Sequence, residues 1–203
     1  MHRRFSARNE NGFTLIEVVV AISLLVIVAL AAGAFTVSAL RLSTQQQRMQ
    51  VAVTVAGERM EQVQRLTTSS AQLTSLVTGR DKSTVEAAWA SAAGVPGVAQ
   101  TYPAWASAGA QTIPLTQVST RSGTDYTSAV LIGTCYQAPK GGACTKDARY
   151  TADPGADAII DKAQLIRVIV TVTYPGGCGD AGGCRYTALA MFDTRGDLTW
   201  ETK

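Results

Sequence analysis

The chain has 203 residues, of which 46% are hydrophobic and 16% charged, so it can form one apolar anchoring segment and one modest core. The 18 basic and 15 acidic residues give a formal charge of +3, which excludes a strong uniform field for holding nucleic acid. The one histidine, His2, lies at the N-terminus, away from any residue that could complete a triad or a histidine metal site. We therefore predict no catalytic residues, no metal site, no cofactor and no enzymatic activity.

The N-terminal part of the chain contains a candidate membrane span. Residues 18–40 are 23 residues without a charge. As a helix they reach about 34 Å, which exceeds the bilayer core of about 30 Å. Arg3, Arg4 and Arg8 precede this run, whereas Arg41 and a polar sequence follow it. The positive-inside rule predicts a single-pass protein with residues 1–12 in the cytoplasm and the C-terminus outside.

Two other interpretations of this segment remain open. The small residues 31–34 would suit the cleavage site of a secretory signal peptide, and the run would equally serve as a plain membrane anchor. Neither interpretation accounts for Glu17 at the entrance to the run. A charge near a bilayer centre costs about 2.5 to 3.5 kcal/mol, and less near the interface, so such a carboxylate normally has a partner or a function.

Residues 12–17 read Gly-Phe-Thr-Leu-Ile-Glu, after a short basic leader and before the apolar run. This sequence resembles the processing motif of type IV pilins and of the pseudopilins of type II secretion and competence systems. The resemblance implies that a prepilin peptidase removes a leader, residues 1–12, by cutting between Gly12 and Phe13. It also implies that the new amino group of Phe13 is N-methylated and that the apolar helix is retained.

The resemblance further implies a role for Glu17 and Phe13 in subunit assembly. In a filament whose core is a bundle of apolar helices, Glu17 of an incoming subunit pairs with the ammonium group of Phe13 of its neighbour. A buried charge pair of this kind is strongly unfavourable to break once it has formed. The pair would therefore set the axial register of the filament.

The helical pattern continues beyond the apolar run and predicts one helix over residues 13–66, with about residues 18–40 in the membrane. The two methionines of the pattern are interpreted as core residues rather than ligands. The predicted packing face of the helix consists of Met49, Val53, Ala56, Met60 and Val63.

A connector over residues 67–111 is predicted next. It contains a short helix that begins at a capping box from Ser83 to Glu86, ends before Pro96, and carries Trp89 on its apolar face.

Residues 112–203 are predicted to form a β-rich head. The strand predicted over 128–136 has apolar residues on both sides, Val130, Ile132 and Tyr136 on one and Ala129, Leu131 and Cys135 on the other. Apolar and polar residues alternate over 166–174, and a third strand is predicted over 185–192. Residues 112–120 suit an edge strand, because Pro114 cannot donate a hydrogen bond to a neighbour. A turn over 194–197 and a last short strand to Trp200 are also predicted. The expected fold is α+β, with a long N-terminal helix packed on a C-terminal antiparallel β-sheet, and the resemblance makes it pilin-like.

The four cysteines are predicted to form disulfides in an oxidising compartment. Nearest-neighbour pairing joins Cys135 to Cys144 and Cys178 to Cys184, although four cysteines allow three connectivities. Each disulfide closes a short loop and would stabilise the fold by about 2 to 3 kcal/mol through loop-closure entropy. A zinc site is disfavoured because the spacing lacks C-x2-C and no histidine lies nearby.

Four aspartates of the head could in principle bind calcium, as the resemblance to some pseudopilins implies. They are Asp147, Asp153, Asp157 and Asp161. Their spacing is not that of an EF-hand loop. We interpret them as solvated loop carboxylates.

We expect a minor pilin, a structural subunit of a type IV pilus, with a role in pilus assembly, adhesion or modulation. Its expected partners are prepilin peptidase, other pilin subunits, the assembly machinery and the membrane that it spans once before assembly. Its expected location is the cytoplasmic membrane and then a pilus or pseudopilus at the cell surface. The alternatives are a pseudopilin of a type II secretion or competence DNA-uptake system and, less favoured, a membrane-tethered binding protein or enzyme. Binding to DNA or to a host-surface ligand stays open.

Overall fold

The computed structural model of the protein describes residues 14–69, 73–147, 162–178 and 183–193. The chain divides into two compact units, Met1–Gln46 and Gln47–Lys203, which we name the N-terminal unit and the C-terminal unit. One helix, α1 (Leu15–Ser69), supplies residues to both units. Its bounds agree closely with the helix that the periodicity predicts.

The C-terminal unit contains a five-stranded antiparallel sheet. The central pair is β3 with β4, β5 pairs with β4, and both β1 and β2 pair with β3, so β5 lies at an edge. The predicted α+β fold, with a long helix and a C-terminal antiparallel sheet, is confirmed. The other elements in chain order are α2 (Leu73–Val77), α3 (Lys82–Ser91), β1 (Tyr102–Pro103), β2 (Thr116–Arg121), β3 (Thr124–Gln137), β4 (Ala163–Tyr174) and β5 (Cys184–Asp193).

One face of the sheet packs against helices α1 and α2. The strand register places Val130 opposite Val170 and Val170 opposite Ala188, so the alternating apolar residues of three strands share this face. The helix residues that cover it are small or branched, and they are buried together with the strand residues. They include Ala52, Val55, Ala56 and Val63 of α1 and Leu73, Leu76 and Val77 of α2. The predicted packing of the helix on the apolar face of the sheet is confirmed.

The opposite face of the sheet carries a second, smaller core. Leu131 of β3 and Ile169 of β4 pack there against α3 and the turns that follow it. Trp89 of α3 is 7% exposed and belongs to this core, as its predicted place on an apolar face requires. The sheet therefore has helical cover on both faces.

The predicted capping box at the start of α3 is wrong. The helix begins at Lys82, Asp81 is its N-cap residue, and no side chain caps it. Asp81 has an extended backbone, and its carbonyl accepts the first helical hydrogen bond from the Val85 N–H at 3.0 Å. The turn before the helix requires a glycine at position 79, because Gly79 has a φ of +72° and a Cβ there would collide with the backbone of Gln111.

The edge strands differ in how well the sequence predicts them. β2 occupies most of the predicted strand over residues 112–120, and Pro114 lies outside it, before its first residue. β1 was not predicted; it pairs with Gly133 and Thr134 of β3. Gly133 permits this approach because a Cβ at that position would overlap the carbonyl oxygen of Tyr102. The turn over 194–197 and the strand to Trp200 lie outside the described residues.

Candidate assembly site in the N-terminal helix

The part of α1 in the N-terminal unit is apolar on every side. It includes an 18-residue window with a mean hydropathy of 2.9, and none of that window is buried. By length and composition this is the one helix in the described ranges that can cross a membrane. A helix that is apolar all round is stable within lipid or among other helices rather than in water. Its exposed side chains include Leu15, Ile16, Val18, Val19, Val20, Ile22, Leu24, Leu25, Val26, Ile27, Val28 and Leu30.

Three hydroxyl groups in the uncharged run over residues 18–40 are satisfied by the helix itself. Ser23 donates to the Val19 carbonyl at 2.8 Å, and Thr36 donates to the Ala32 carbonyl at 2.8 Å. Ser38 makes the same contact with the carbonyl four residues before it, at 3.0 Å. Because an unpaired hydroxyl is costly outside water, this self-sufficiency suits an apolar environment.

Glu17 lies in the first turn of α1, next to the start of the apolar run. The Glu17 N–H donates to the carbonyl of Thr14 at 3.0 Å, so the carboxylate is carried by ordered helix rather than by the leader. A negative charge is favourable near a helix N-terminus, where unpaired N–H groups concentrate positive potential. Gly12 and Phe13, the predicted cleavage and methylation residues, lie outside the described residues.

In the C-terminal unit α1 has one buried face, and it differs in part from the predicted one. Ala56 and Val63 are buried as predicted, and Met60 is partly buried against the same core. Met49 and Val53 are 51% and 42% exposed, so their predicted place in the packing face is wrong. The face is instead built around Ala52, Val55 and Ala56, because residues spaced three and four apart on a helix share one side.

Two buried arginines connect α1 and the turn before α3 to the sheet. Arg59 donates through Nη1 to Gln117 at 2.8 Å and through Nη2 to the carbonyl of Pro114. Arg80 is 1% exposed and donates to the carbonyls of Ile113 and Val130 at 2.9 to 3.2 Å. Burial, with a smaller contribution from the charge of Arg59, lowers the pKa of Arg80 to about 10. Both arginines therefore link separate segments of the fold, at the cost of desolvating a cation.

Sequence reasoning missed this role. Arg59 falls four residues before Val63 and three after Ala56, which is a signal for the buried face, but a charged residue there is read as solvent-facing.

Two disulfides are present in the C-terminal unit. Cys135 pairs with Cys144, with 5.4 Å between their Cα atoms, and Cys178 pairs with Cys184, with 5.1 Å between theirs. The first closes the segment after β3, and the second closes the connection between β4 and β5. These are the nearest-neighbour pairs, and such bonds persist in oxidising compartments.

Of the four aspartates considered for calcium, Asp147 is the one that lies in the described part of the chain. Asp147 forms an ion pair with Lys162 at 2.5 Å, whereas Asp153, Asp157 and Asp161 lie outside the described residues. No group of three metal-binding side chains occurs within the described ranges.

Comparison with known proteins identifies the N-terminal sequence. The family model for the prokaryotic N-terminal methylation motif matches residues 7–33. No curated protein and no solved structure matches the chain.

Residues 7–33 are therefore the type IV pilin signature, and the long apolar helix with its α+β unit is a pilin-like architecture. The motif, which covers residues 7–33 alone, supports a similarity to type IV pilin-like proteins and pseudopilins, and it points to structural subunits. It implies processing by prepilin peptidase and assembly with other pilins, and together with the apolar helix it is consistent with membrane anchoring and pilus assembly.

Proposed function

We propose that this chain is a minor pilin, a structural subunit of a type IV pilus. Prepilin peptidase cuts between Gly12 and Phe13, methylates the amino group of Phe13, and leaves the protein anchored by residues 18–40. The C-terminal unit then lies outside the cytoplasmic membrane until the subunit enters the filament at the cell surface. The observation that carries this proposal is the methylation motif over residues 7–33, which includes the first part of an unburied apolar helix.

The place of Glu17 supports assembly through the helix. Its carboxylate stands in the first turn of α1, where the exposed side chains that follow are apolar. When such helices pack into a filament core, the carboxylate leaves water and needs a cation. The N-terminal ammonium of Phe13 in a neighbouring subunit is a suitable partner, because cleavage creates this cation. In each chain Phe13 lies four residues before Glu17 in the motif.

The structure of the C-terminal unit supports exposure outside the cell. Two disulfides close short loops at the ends of strands, which suits an oxidising environment. The unit also has its own core on both faces of the sheet. A role in pilus assembly, adhesion or modulation follows from such a unit displayed on a filament.

A pseudopilin of a type II secretion or DNA-uptake system would use the same signal, helix and processing. The two functions differ in where the mature subunit accumulates. A pilin is recovered in filaments sheared from the cell surface, whereas a pseudopilin stays with the cell envelope.

The proposal is tested by replacing Glu17 in the native cell and comparing the variant in sheared filaments and in membranes. We expect Glu17→Ala and Glu17→Gln to be cleaved normally but to be lost from filaments. Removing one partner of a buried ion pair costs about 3 to 5 kcal/mol, which is on the order of a hundredfold or more in an equilibrium constant. Glu17→Asp, which keeps the charge, should retain part of the incorporation.

Glu61→Gln is the matched control, because Glu61 is an exposed carboxylate on the same helix, paired with Arg65 at 3.6 Å. Its incorporation should equal that of the natural sequence. Normal incorporation of Glu17→Ala would contradict the proposed pairing. Accumulation of the processed natural chain in membranes alone would favour the pseudopilin.

A further inference from the structure

A cavity of about 400 Å³ lies beside β5 in the C-terminal unit. Its size falls within the range of about 300 to 1,000 Å³ that is typical of small-molecule sites. Its wall is formed by the turn after α3, the segment closed by the first disulfide, and strands β4 and β5. The lining residues that matter here are Pro96, Gly97, Cys144, Arg167, Leu189 and Met191.

Arg167 is the charged residue of this cavity, and it is 6% exposed. Its Nη1 donates to the carbonyl of Gly97 at 3.1 Å and to the hydroxyl of Thr101 at 2.8 Å. Its Nη2 donates to the carbonyl of Cys144 at 2.7 Å. The guanidinium group is thus held in place by residues on two sides of the cavity.

The guanidinium of Arg167 still has unused binding capacity. An arginine offers five N–H donors, and three of these are used by the contacts with Gly97, Thr101 and Cys144. Its Nε is buried and has no acceptor in the part of the chain that the structure describes. The remaining donors are therefore the one on Nε and one on Nη2, and these two nitrogens can bind the two oxygens of a carboxylate together.

The charge of Arg167 is also uncompensated among the described residues. Its partners there are two carbonyls and one hydroxyl, all of them neutral. Burial accordingly lowers the pKa of Arg167, since a buried cation without an anion is destabilised. An anion in the cavity would remove this cost.

The β5 side of the cavity, where Met191 is the cross-strand partner of Arg167, is apolar and accessible. Leu189 and Met191 of β5 are 46% and 52% exposed, although both are large apolar side chains. Pro96 adds a further apolar surface. A ligand with an apolar body would cover these side chains while its charged end approached Arg167.

We propose that this cavity binds a small monocarboxylate with an apolar body, with the carboxylate on Arg167 and the body against Leu189 and Met191. One cation in an apolar pocket matches one negative charge, whereas the dianion of a phosphate would be left partly unneutralised. A fatty acid and the carboxyl end of a polypeptide chain both have this chemistry. The site is separate from the helix motif, so the proposal does not depend on the filament function.

The test uses the full chain in lipid nanodiscs with a ¹³C label on the methionine methyl groups. The sequence has four methionines, so the Met191 signal can be assigned with a Met191→Leu variant. Hexanoate is the probe for a fatty acid, N-acetyl-leucine is the probe for a chain end, and hexan-1-ol is the uncharged control. We expect a saturable shift of the Met191 signal with the carboxylates and a response at least about tenfold weaker with the alcohol.

Variants test whether Arg167 is the residue that binds the carboxylate. Arg167→Gln should weaken carboxylate binding by about tenfold or more. Arg185→Gln, which removes an exposed arginine from the same strand as Met191, should leave binding unchanged. Leu189→Glu leaves Arg167 intact and should also weaken binding, because the new carboxylate competes for the guanidinium.

Tighter binding of N-acetyl-leucine than of hexanoate would assign the site to a polypeptide end, and the reverse order would assign it to a fatty acid. The absence of any shift with either carboxylate would overturn the proposal. So would an equal response to hexan-1-ol, or undiminished binding by Arg167→Gln or, should that variant not fold, by Leu189→Glu.

Discussion

The two parts of α1 follow different physical rules. In the N-terminal unit the helix is apolar on every side, and its large side chains are exposed. In the C-terminal unit the same helix is amphipathic, with Ala52, Ala56 and Val63 buried against the sheet. The described residues of the N-terminal unit leave the first part uncovered, whereas the second part is a component of a folded core.

This difference indicates which part of the protein depends on its surroundings. Uncovered apolar surface is stabilised by lipid before assembly and by neighbouring helices after it. The C-terminal unit buries its apolar residues against its own sheet, so its stability is set within the chain. Changes in the N-terminal unit should therefore alter location and assembly, and changes in the C-terminal unit should alter the free energy of unfolding.

The largest effect is expected from removing the N-terminal unit. A fragment that begins at Gln47 should fold cooperatively and remain in water during detergent phase partitioning, whereas the full chain should enter the detergent phase almost completely. The reason is that the apolar window lies wholly before Gln47, while the buried core begins at Ala52. Circular dichroism with thermal melting checks the fold, and an unfolded fragment would show that the units are interdependent.

The next largest effect is expected from the disulfides, all of which lie in the C-terminal unit. Replacing both Cys135 and Cys144 by serine should lower the free energy of unfolding by about 2 to 3 kcal/mol, because the unfolded chain regains loop entropy. The same loss is expected for the pair Cys178 and Cys184. Chemical denaturation of the fragment from Gln47 measures both.

For both disulfides, partitioning of the corresponding full-length variants into detergent should not change. A change in partitioning would mean that the bonds act on the N-terminal unit as well.

Substitution of one valine in each part of α1 compares the two parts of the helix directly. Val63 is fully buried and Val28 is 67% exposed. Val63→Ala should lower the free energy of unfolding by about 2 kcal/mol through lost burial and a small cavity. Val28→Ala should leave it unchanged within a few tenths of a kcal/mol, measured by denaturation of the full chain in detergent. Equal effects of the two substitutions would contradict the comparison.

The smallest effect is expected from the surface ion pair between α1 and β2. Glu58 and Arg121 are 3.2 Å apart, and each side chain is about half exposed. Arg121→Gln should therefore cost about 0.2 to 1 kcal/mol, and high ionic strength should remove the difference. A larger, salt-independent loss would show that the pair does more than join two exposed side chains.

The elements that the sequence predicts well are those with a regular period. The 3.6-residue period of α1 and the two-residue period of β3 and β4 predict which residues share a face, and the structure places Val130, Val170 and Val172 in one core. The motif from Gly12 to Glu17 can be recognised from the sequence, because its chemistry requires particular residues in a fixed order. The family match over residues 7–33 agrees with that interpretation.

The features that the sequence did not predict depend on contacts between distant segments. Arg80 is buried because the carbonyls of Ile113 and Val130 meet in one place, and no local pattern predicts that meeting. Met49 fits the helical period, yet it is exposed because Arg48 and Val51, on another side of α1, make the contacts with the rest of the unit. The capping box at Ser83 is a valid local signal, but the N-cap residue of the helix is Asp81, two residues earlier.

The central claim, that this chain is processed and built into a surface filament, is tested most directly by mass spectrometry of sheared filaments. We expect a peptide that begins at Phe13, ends at Arg41 and carries an N-methyl group on Phe13. Recovery of the processed peptide from membranes alone would contradict the pilus assignment and favour a pseudopilin. Recovery of the chain with residues 1–12 still attached would contradict processing altogether and leave a plain membrane anchor.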